Sequence, residues 1–270
     1  MFSKQVLPSS RLRLTEQERP PSWYPPKRAG PFLSWFTVGF TVRGRLKLSL
    51  HPCIGRLKLS EISLHRIENF HLWQLYSTRR EMMRKAHARA ELQVEEAPFN
   101  AKNFLGHPDT QSAFCCQEPL EAGLNEKILL HGTSYENAHS IIMHGFDPRV
   151  TARGLYGGGV YFAASACKSH QYTCQQHKPW SGYSKGCACK TERTVILARV
   201  AVGDAHHATE TVKRTDRRPP ARDLFERYDS TVADAGPMTN HSSGWQTHQE
   251  FVVFTQEQAY PAFVAQYVLS

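Results

Sequence analysis

Long apolar runs are missing from this chain of 270 residues. A helix that crosses a bilayer needs roughly 20 consecutive apolar residues. The best stretch, residues 31–42, is shorter and is interrupted by Ser34 and Thr37, so no membrane-spanning helix is expected. It also lies too far from Met1, behind too many prolines, to serve as the apolar part of a secretory signal. Cysteine is sparse and odd in number, seven in all. With no export signal in view, these cysteines read as reduced thiols or metal ligands before disulfides. Acids are scarce at one end only: residues 1–60 carry 11 Lys and Arg against 2 Asp and Glu, residues 61–120 carry 7 against 8, and residues 121–270 carry 15 against 14. The net charge of +9 therefore belongs to the first sixty residues. Such a segment suits nucleic acid or an anionic membrane surface, or is a solvated leader with no partner. Residues 1–15 are basic, contain serine and lack acids, which also fits a mitochondrial transit peptide; cytoplasm or nucleus is the default compartment.

The organisation changes near residue 60. Before it come Pro20-Pro21, Pro25-Pro26 and a Gly-Arg-Leu-Lys-Leu-Ser run that occurs at 44–49 and again at 55–60. Two copies do not make a solenoid; the alternating leucines suit a two-strand hairpin or a disordered segment equally. From Ser60 the apolar spacing becomes helical: Ile62, Ile67, Leu72, Trp73, Tyr76, Met83 and Ala86 predict one or two helices over 61–94. The run Lys127 to Leu130 reads as a buried strand, followed by a helix over 134–143 with Tyr135, Ala138 and Ile142 inward and Gly145 past its end. Strands are predicted at 160–163, 195–202, 250–255 and 264–269. Gly157-Gly158-Gly159 precedes a strand, whereas a dinucleotide-binding turn requires strand, glycines and then helix. The composition is that of a basic, disordered N-terminal extension over 1–60 and a folded α+β domain over 61–270.

Four short segments carry chemistry: His131-Gly132-Thr133, Val160-Tyr161-Phe162-Ala163, Ser169 with Tyr172, and Gln249-Glu250-Phe251. Tyr161 follows His131 by 30 residues and Glu250 follows Tyr161 by 89. In this order and spacing they resemble the catalytic domain of the poly(ADP-ribose) polymerase family, the diphtheria-toxin-like ADP-ribosyltransferases. The Leu72-Trp73-Gln74-Leu75-Tyr76 stretch with Arg79, and Gln258-Ala259-Tyr260-Pro261 with Tyr228-Asp229-Ser230 upstream, are similar to the beginning and end of that domain. The resemblance implies a split antiparallel β-sandwich core with peripheral helices, and an NAD-dependent transfer of ADP-ribose to protein acceptors, the chain itself among them, with release of nicotinamide.

It also implies roles. Gly132 offers its backbone N–H and C=O to the carboxamide, Ser169 adds a hydrogen bond, Tyr172 stacks on the pyridinium face, Tyr161 forms the opposite wall, and His131 bonds the adenine-side ribose. Glu250 accepts a hydrogen bond from the nicotinamide ribose and stabilises the positive charge that builds as the glycosidic bond breaks. A Glu at this third position of the His-Tyr-Glu set is compatible with chain elongation, hence with poly(ADP-ribose) synthesis. A second set, Cys174, His177, Cys187 and Cys189, has the donor types of a closed structural zinc site and is similar in position to the small zinc loop of tankyrase, though its Cys-x-Cys pair is tighter. Two other functions stay open: a catalytically inactive module that binds NAD or ADP-ribose, and transfer of ADP-ribose to RNA.

Overall fold

The computed structural model describes residues 32–35, 59–97, 119–151, 154–174, 192–211, 216–237 and 246–269. Its frame is a nine-stranded sheet, with few helices packed on it, which is the α+β class expected. In chain order the elements are β1 (Phe32–Trp35), β2 (Leu59–Glu68), α1 (Phe70–Arg89), β3 (Glu126–Thr133), α2 (Tyr135–His144), β4 (Val160–Ala163), α3 (Ala166–His170), β5 (Glu192–Ala201), β6 (Ala205–Ala208) and β7 (Ser230–Ala233). A two-residue ribbon of β8 (Gly236–Pro237) and β9 (Gln246–Thr247) follows, then β10 (Glu250–Val253) and β11 (Ala259–Leu269). The strand order is β1-β2-β11-β5-β3-β4-β10-β7-β6, antiparallel except for the parallel β6–β7 pair.

This sheet is split at its middle. β3 pairs with β5 over eight residues, but with β4 only through Leu130 and Ala163. Beyond Leu130 the strands part, so one backbone edge of His131, Gly132 and Thr133 is not used by the ladder. Length does not force the opening: with Leu130 opposite Ala163, Phe162 to Val160 would run beside His131 to Thr133, yet the ladder stops and the His131 side chain meets Tyr161 O at 2.8 Å instead.

Helices cover both faces of the longer half. Alternate residues of β3 and β5 divide between two cores, as pleating requires. Ile128, Leu130, Val195 and Leu197 join Leu72, Trp73, Tyr76 and Met83 of α1, while Leu129, Ile196, Ala198 and Val200 join Ala138 of α2. Phe162, Phe251 and Val253 extend the second core into the shorter half. Glu250 and Val252 alternate with Phe251 and Val253, and so face the other way, as does Tyr161 opposite Val252.

The helical reading of 61–94 is corrected at both ends. Ile62 and Ile67 lie on β2, which pairs with β11 from Glu61 to Arg66, and the helix ends at Arg89. Asn69 sets the boundary: its side chain accepts from the Leu72 N–H at 3.2 Å as an N-cap. Its amide also donates to Ile142 O at 2.9 Å, and its N–H donates to the Tyr260 hydroxyl at 3.2 Å, which itself donates to Ile67 O at 2.8 Å. One asparagine thus joins β2, α1, α2 and β11. In α2, Ser134, read as the first helical residue, is the N-cap instead, and Ala138 and Ile142 are buried as expected, but Tyr135, in the first turn, is 44% exposed.

Of the segment assigned to the N-terminal extension, residues 32–35 add a strand to the sheet edge, with Phe32 opposite Glu68 and Trp35 opposite His65. The hairpin weighed for the repeated leucines falls on residues outside those described, apart from Leu59 at the start of β2.

Candidate active site

The site lies where the sheet opens. His131 and Gly132 stand at the parting end of β3, Tyr161 on β4 and Glu250 at the start of β10, directly opposite Ala163. α3 crosses this end and carries Lys168 and Ser169. The residues to which the resemblance gives roles, from His131 to Glu250, are thereby brought to one region, though they span 120 positions of chain.

Gly132 is required by sterics. A Cβ built there would lie 1.7 Å from the Ser169 carbonyl oxygen and 2.5 Å from its carbon, both backbone atoms that cannot swing aside. The absence of a side chain lets α3 rest on β3, which sets Ser169 beside the unused backbone edge of residues 131–133. The Ser169 Oγ is buried and has no hydrogen-bond partner among the described residues. A buried hydroxyl left unpaired costs about 1–3 kcal/mol, and a ligand amide would remove that cost. Replacing Gly132 by Ala is expected to displace α3 and lower NAD turnover at least about a hundredfold, of the order seen when a positioned donor is lost. Steady-state nicotinamide release beside a far-UV spectrum checks this; a folded Gly132→Ala protein with undiminished turnover would sink it.

His131 is neutral near pH 7. Burial pushes its imidazole below the usual range, against the hydrogen bond to Tyr161 O, which raises it. Its Nδ1 lies 2.8 Å from that carbonyl oxygen, which can only accept, so Nδ1 carries the proton and Nε2 is left as an acceptor. The ring is held edge-on to Phe146, centroids 5.3 Å apart, and tilted against Phe162.

Tyr161 shapes the glycine-rich loop before it. Its hydroxyl donates to Gly157 O at 2.7 Å and accepts from the Tyr156 N–H at 2.8 Å. The loop wraps the ring so closely that a Cβ on Gly154 would sit 2.1 Å from it. Gly157 takes φ +98, a left-handed value that favours glycine. Burial raises the phenol well above its ordinary range, and it does not ionise near neutrality.

Glu250 is the buried charge of the site, its side chain 7% exposed. Burial pushes its carboxyl upward, and Lys168, 3.3 Å away, offsets part of that push. For the Lys168 ammonium, burial works downward, but Glu250 and Tyr172 outweigh it and the group stays protonated. The ammonium also lies 5.4 Å from the Tyr172 ring centroid, a cation–π distance, while the Tyr172 side chain is partly exposed. His248, two residues before Glu250, is held low by burial and then by Lys168. Gln249 reaches Asp234 at 3.2 Å.

Lys168 is the functional residue that sequence reasoning missed. A single Lys in a basic chain gives no signal. The usable clue is chemical: a carboxylate buried this deeply needs a cation, and Lys168 adjoins Ser169.

The four candidate zinc ligands are not brought together by what is described. Cys174 is buried, but His177, Cys187 and Cys189 lie outside the described residues, among which no group of three or more His, Cys, Asp or Glu is arranged to hold a metal. Cys167 on α3 is engaged in a disulfide, where thiols or metal ligands were expected.

Comparison with known proteins agrees with the fold. Residues 59–269 match the model of the poly(ADP-ribose) polymerase catalytic domain. The mouse protein mono-ADP-ribosyltransferase PARP11 is 30% identical over 152 residues, 52% of this chain and 42% of that protein. Human protein mono-ADP-ribosyltransferase PARP12 is 31% identical over 151 residues, 54% of this chain and 18% of that protein. A poly [ADP-ribose] polymerase of Sarcophaga peregrina is 29% identical over 96 residues, 34% of this chain and 8% of its own length. The chain thus spans less than half the length of each of these relatives. A match over most of the chain, on a split sheet that brings His131, Tyr161 and Glu250 to one opening, makes it a member of the poly(ADP-ribose) polymerase catalytic-domain family, whose chemistry is NAD-dependent ADP-ribosyl transfer.

Proposed function

We propose that this chain cleaves NAD at the nicotinamide glycosidic bond and transfers ADP-ribose to protein acceptors. The observation that carries the reading is Glu250, a buried carboxylate paired with Lys168 at the opening that Gly132 and Ser169 also line. Gly132 gives backbone donor and acceptor to the carboxamide, and the orphaned Ser169 hydroxyl adds a donor. Tyr172 and Tyr161 form the two walls. His131, with Nε2 as an acceptor, receives a hydrogen bond from a ribose hydroxyl. Glu250 places negative charge where positive charge builds, and such preorganised charge is worth on the order of 10² to 10³ in rate.

Single transfer is favoured by the likeness to PARP11 and PARP12, both mono-ADP-ribosyltransferases. Elongation to a polymer is the second reading, favoured by Glu250 itself, since a carboxylate there can polarise an acceptor hydroxyl. Incubating the full chain with labelled NAD and resolving the products on a denaturing gel decides between them. A discrete band is the expected result, and a high-mass smear would replace single transfer by elongation. No label and no nicotinamide from folded protein would overturn the enzymatic reading in favour of a binding module.

We propose that the catalytic unit spans residues 59–269, a shift of the 61–270 expectation that the extent of the family match supports. A chain lacking residues 1–58 is expected to retain nicotinamide release within about threefold of the full chain, because it keeps every site residue and α1, where tertiary packing holds the fold. Loss of activity from a truncation that folds would show that the catalytic unit begins earlier.

A further inference from the structure

The chemistry described above makes no use of the segment between β6 and β7. Its tip is Leu224 and Phe225, 94% and 93% exposed, the highest values among the exposed large hydrophobic residues described. The backbone beneath them is nevertheless tied down. Ala221 and Arg227 form an antiparallel bridge, and the Arg222 N–H donates to Glu226 O at 2.9 Å. The Asp223 carboxylate accepts from the N–H groups of Phe225 and Glu226 at 2.8 and 2.9 Å, closing the turn from inside. At the base, Arg217 donates to Pro148 O at 2.8 Å and to Gly158 O at 3.2 Å, which fixes the segment to the loops beside β4. Two large apolar side chains are therefore held out in water by a braced turn, with their ordering cost already met by the fold.

The charge around the tip indicates what it meets. Residues 211–228 contain six Lys and Arg against three Asp and Glu. Two of those acids are occupied locally: Asp223 caps its own turn, and Glu226 pairs with Arg222. Arg218 and Arg227 are exposed on either side of the apolar pair, Arg227 also donating one guanidinium N–H to Pro219 O at 2.9 Å. Residues 1–60 add eleven basic side chains against two acids. A protein interface needs about 800 Å² from each partner, whereas Leu224 and Phe225 supply roughly 400 Å² at most. An anionic bilayer needs no such area, because apolar insertion and electrostatic attraction add.

We propose that the turn over 221–227 is a membrane-surface anchor that inserts Leu224 and Phe225 among the headgroups of an anionic bilayer, while the neighbouring guanidinium groups contact lipid phosphate or carboxylate. This makes the chain a peripheral membrane protein, in keeping with the lack of any helix long and apolar enough to cross a membrane among the described residues.

The full chain is to be sedimented with phosphatidylcholine vesicles containing about 30 mol% phosphatidylserine, and with phosphatidylcholine alone, at about 0.15 M salt where weak long-range attraction is screened. Wild type is expected to bind the anionic vesicles only, and Leu224→Ser/Phe225→Ser to reduce its partition at least tenfold with unchanged NAD turnover in solution. Arg218→Gln/Arg227→Gln is expected to weaken binding at least threefold and leave the turn folded. Equal binding by the serine variant would assign attraction to residues 1–60 alone and overturn the proposal. So would wild type that ignores both vesicles, including wild type whose self-association in sedimentation velocity is lost in the serine variant, which would make the tip a protein contact.

Discussion

Glu250→Gln is expected to slow nicotinamide release by at least tenfold, and by as much as about 10² to 10³, while NAD still binds. The amide keeps the size of the side chain and can still accept a hydrogen bond, so the ground-state contact survives. What disappears is the negative charge that counters the developing positive charge, so the loss should fall on kcat rather than on the dissociation constant. The pH dependence gives an independent check. Burial holds the carboxyl above its ordinary value, and the ionised form is the active one. Wild-type activity should therefore fall as pH is lowered through an elevated carboxyl pKa, and the Gln variant should lack that limb. Lys168→Met tests the pair from the other side: removal of the ammonium should push the Glu250 limb to still higher pH. A Gln variant that turns over like wild type, or one with the same acid limb, would remove Glu250 from the chemistry.

How far this could be read in the sequence depended on whether the signal was local. β3, β4 and β10 are apolar runs bounded by Gly, Ser or polar residues, and their positions were legible to within a few residues. β6 was not, because Ala205-His206-His207-Ala208 has neither alternation nor β-branched residues; its pairing with β7 makes the strand. The segment 61–68 was misread because its two isoleucines, five residues apart, were run on into the helical spacing that begins at Leu72, and the Asn69 cap, which a single residue signals, was overlooked.

The site shows the same division. The identities of His131, Gly132, Tyr161, Ser169, Tyr172 and Glu250 came from resemblance, because each is an ordinary residue taken alone. Why position 132 is glycine is a tertiary fact: the clash is with the backbone of Ser169, 37 residues away. The Lys168–Glu250 pair is likewise invisible until α3 and β10 meet.

The second large effect expected is on stability, at Glu126. Its side chain is fully buried and accepts from the Tyr76 hydroxyl at 2.5 Å, Arg199 Nε at 2.9 Å, Arg199 Nη2 at 3.0 Å and the Glu121 N–H at 2.8 Å. Arg199 also donates to Pro119 O at 3.1 Å and lies 5.7 Å from the Trp73 ring centroid. This cluster fastens α1 to β3 and β5, beneath the half of the sheet that carries Gly132. Burial drives the Glu126 carboxyl up, but the hydrogen bonds and charge of Arg199, helped by Arg80, outweigh it and the net shift is downward. A carboxylate with a depressed folded pKa stabilises the native state above its unfolded pKa, and that stability is lost as pH falls through the folded value. Wild type should therefore weaken below about pH 4.5, the ordinary glutamate value. Glu126→Gln should already be weak at pH 7, because it leaves Arg199 buried beside a neutral amide. Breaking one side of a buried pair costs about 3–5 kcal/mol, which for a domain of this size lowers the melting temperature by on the order of 10 °C. The decisive comparison is the double variant Glu126→Gln/Arg199→Met. If the uncompensated guanidinium causes the loss, removing it should recover part of the stability in urea titration. If Arg199 instead holds this core through its own hydrogen bonds, including the one to Pro119 O, the double variant will be weaker than the single one, and the electrostatic account of this core fails.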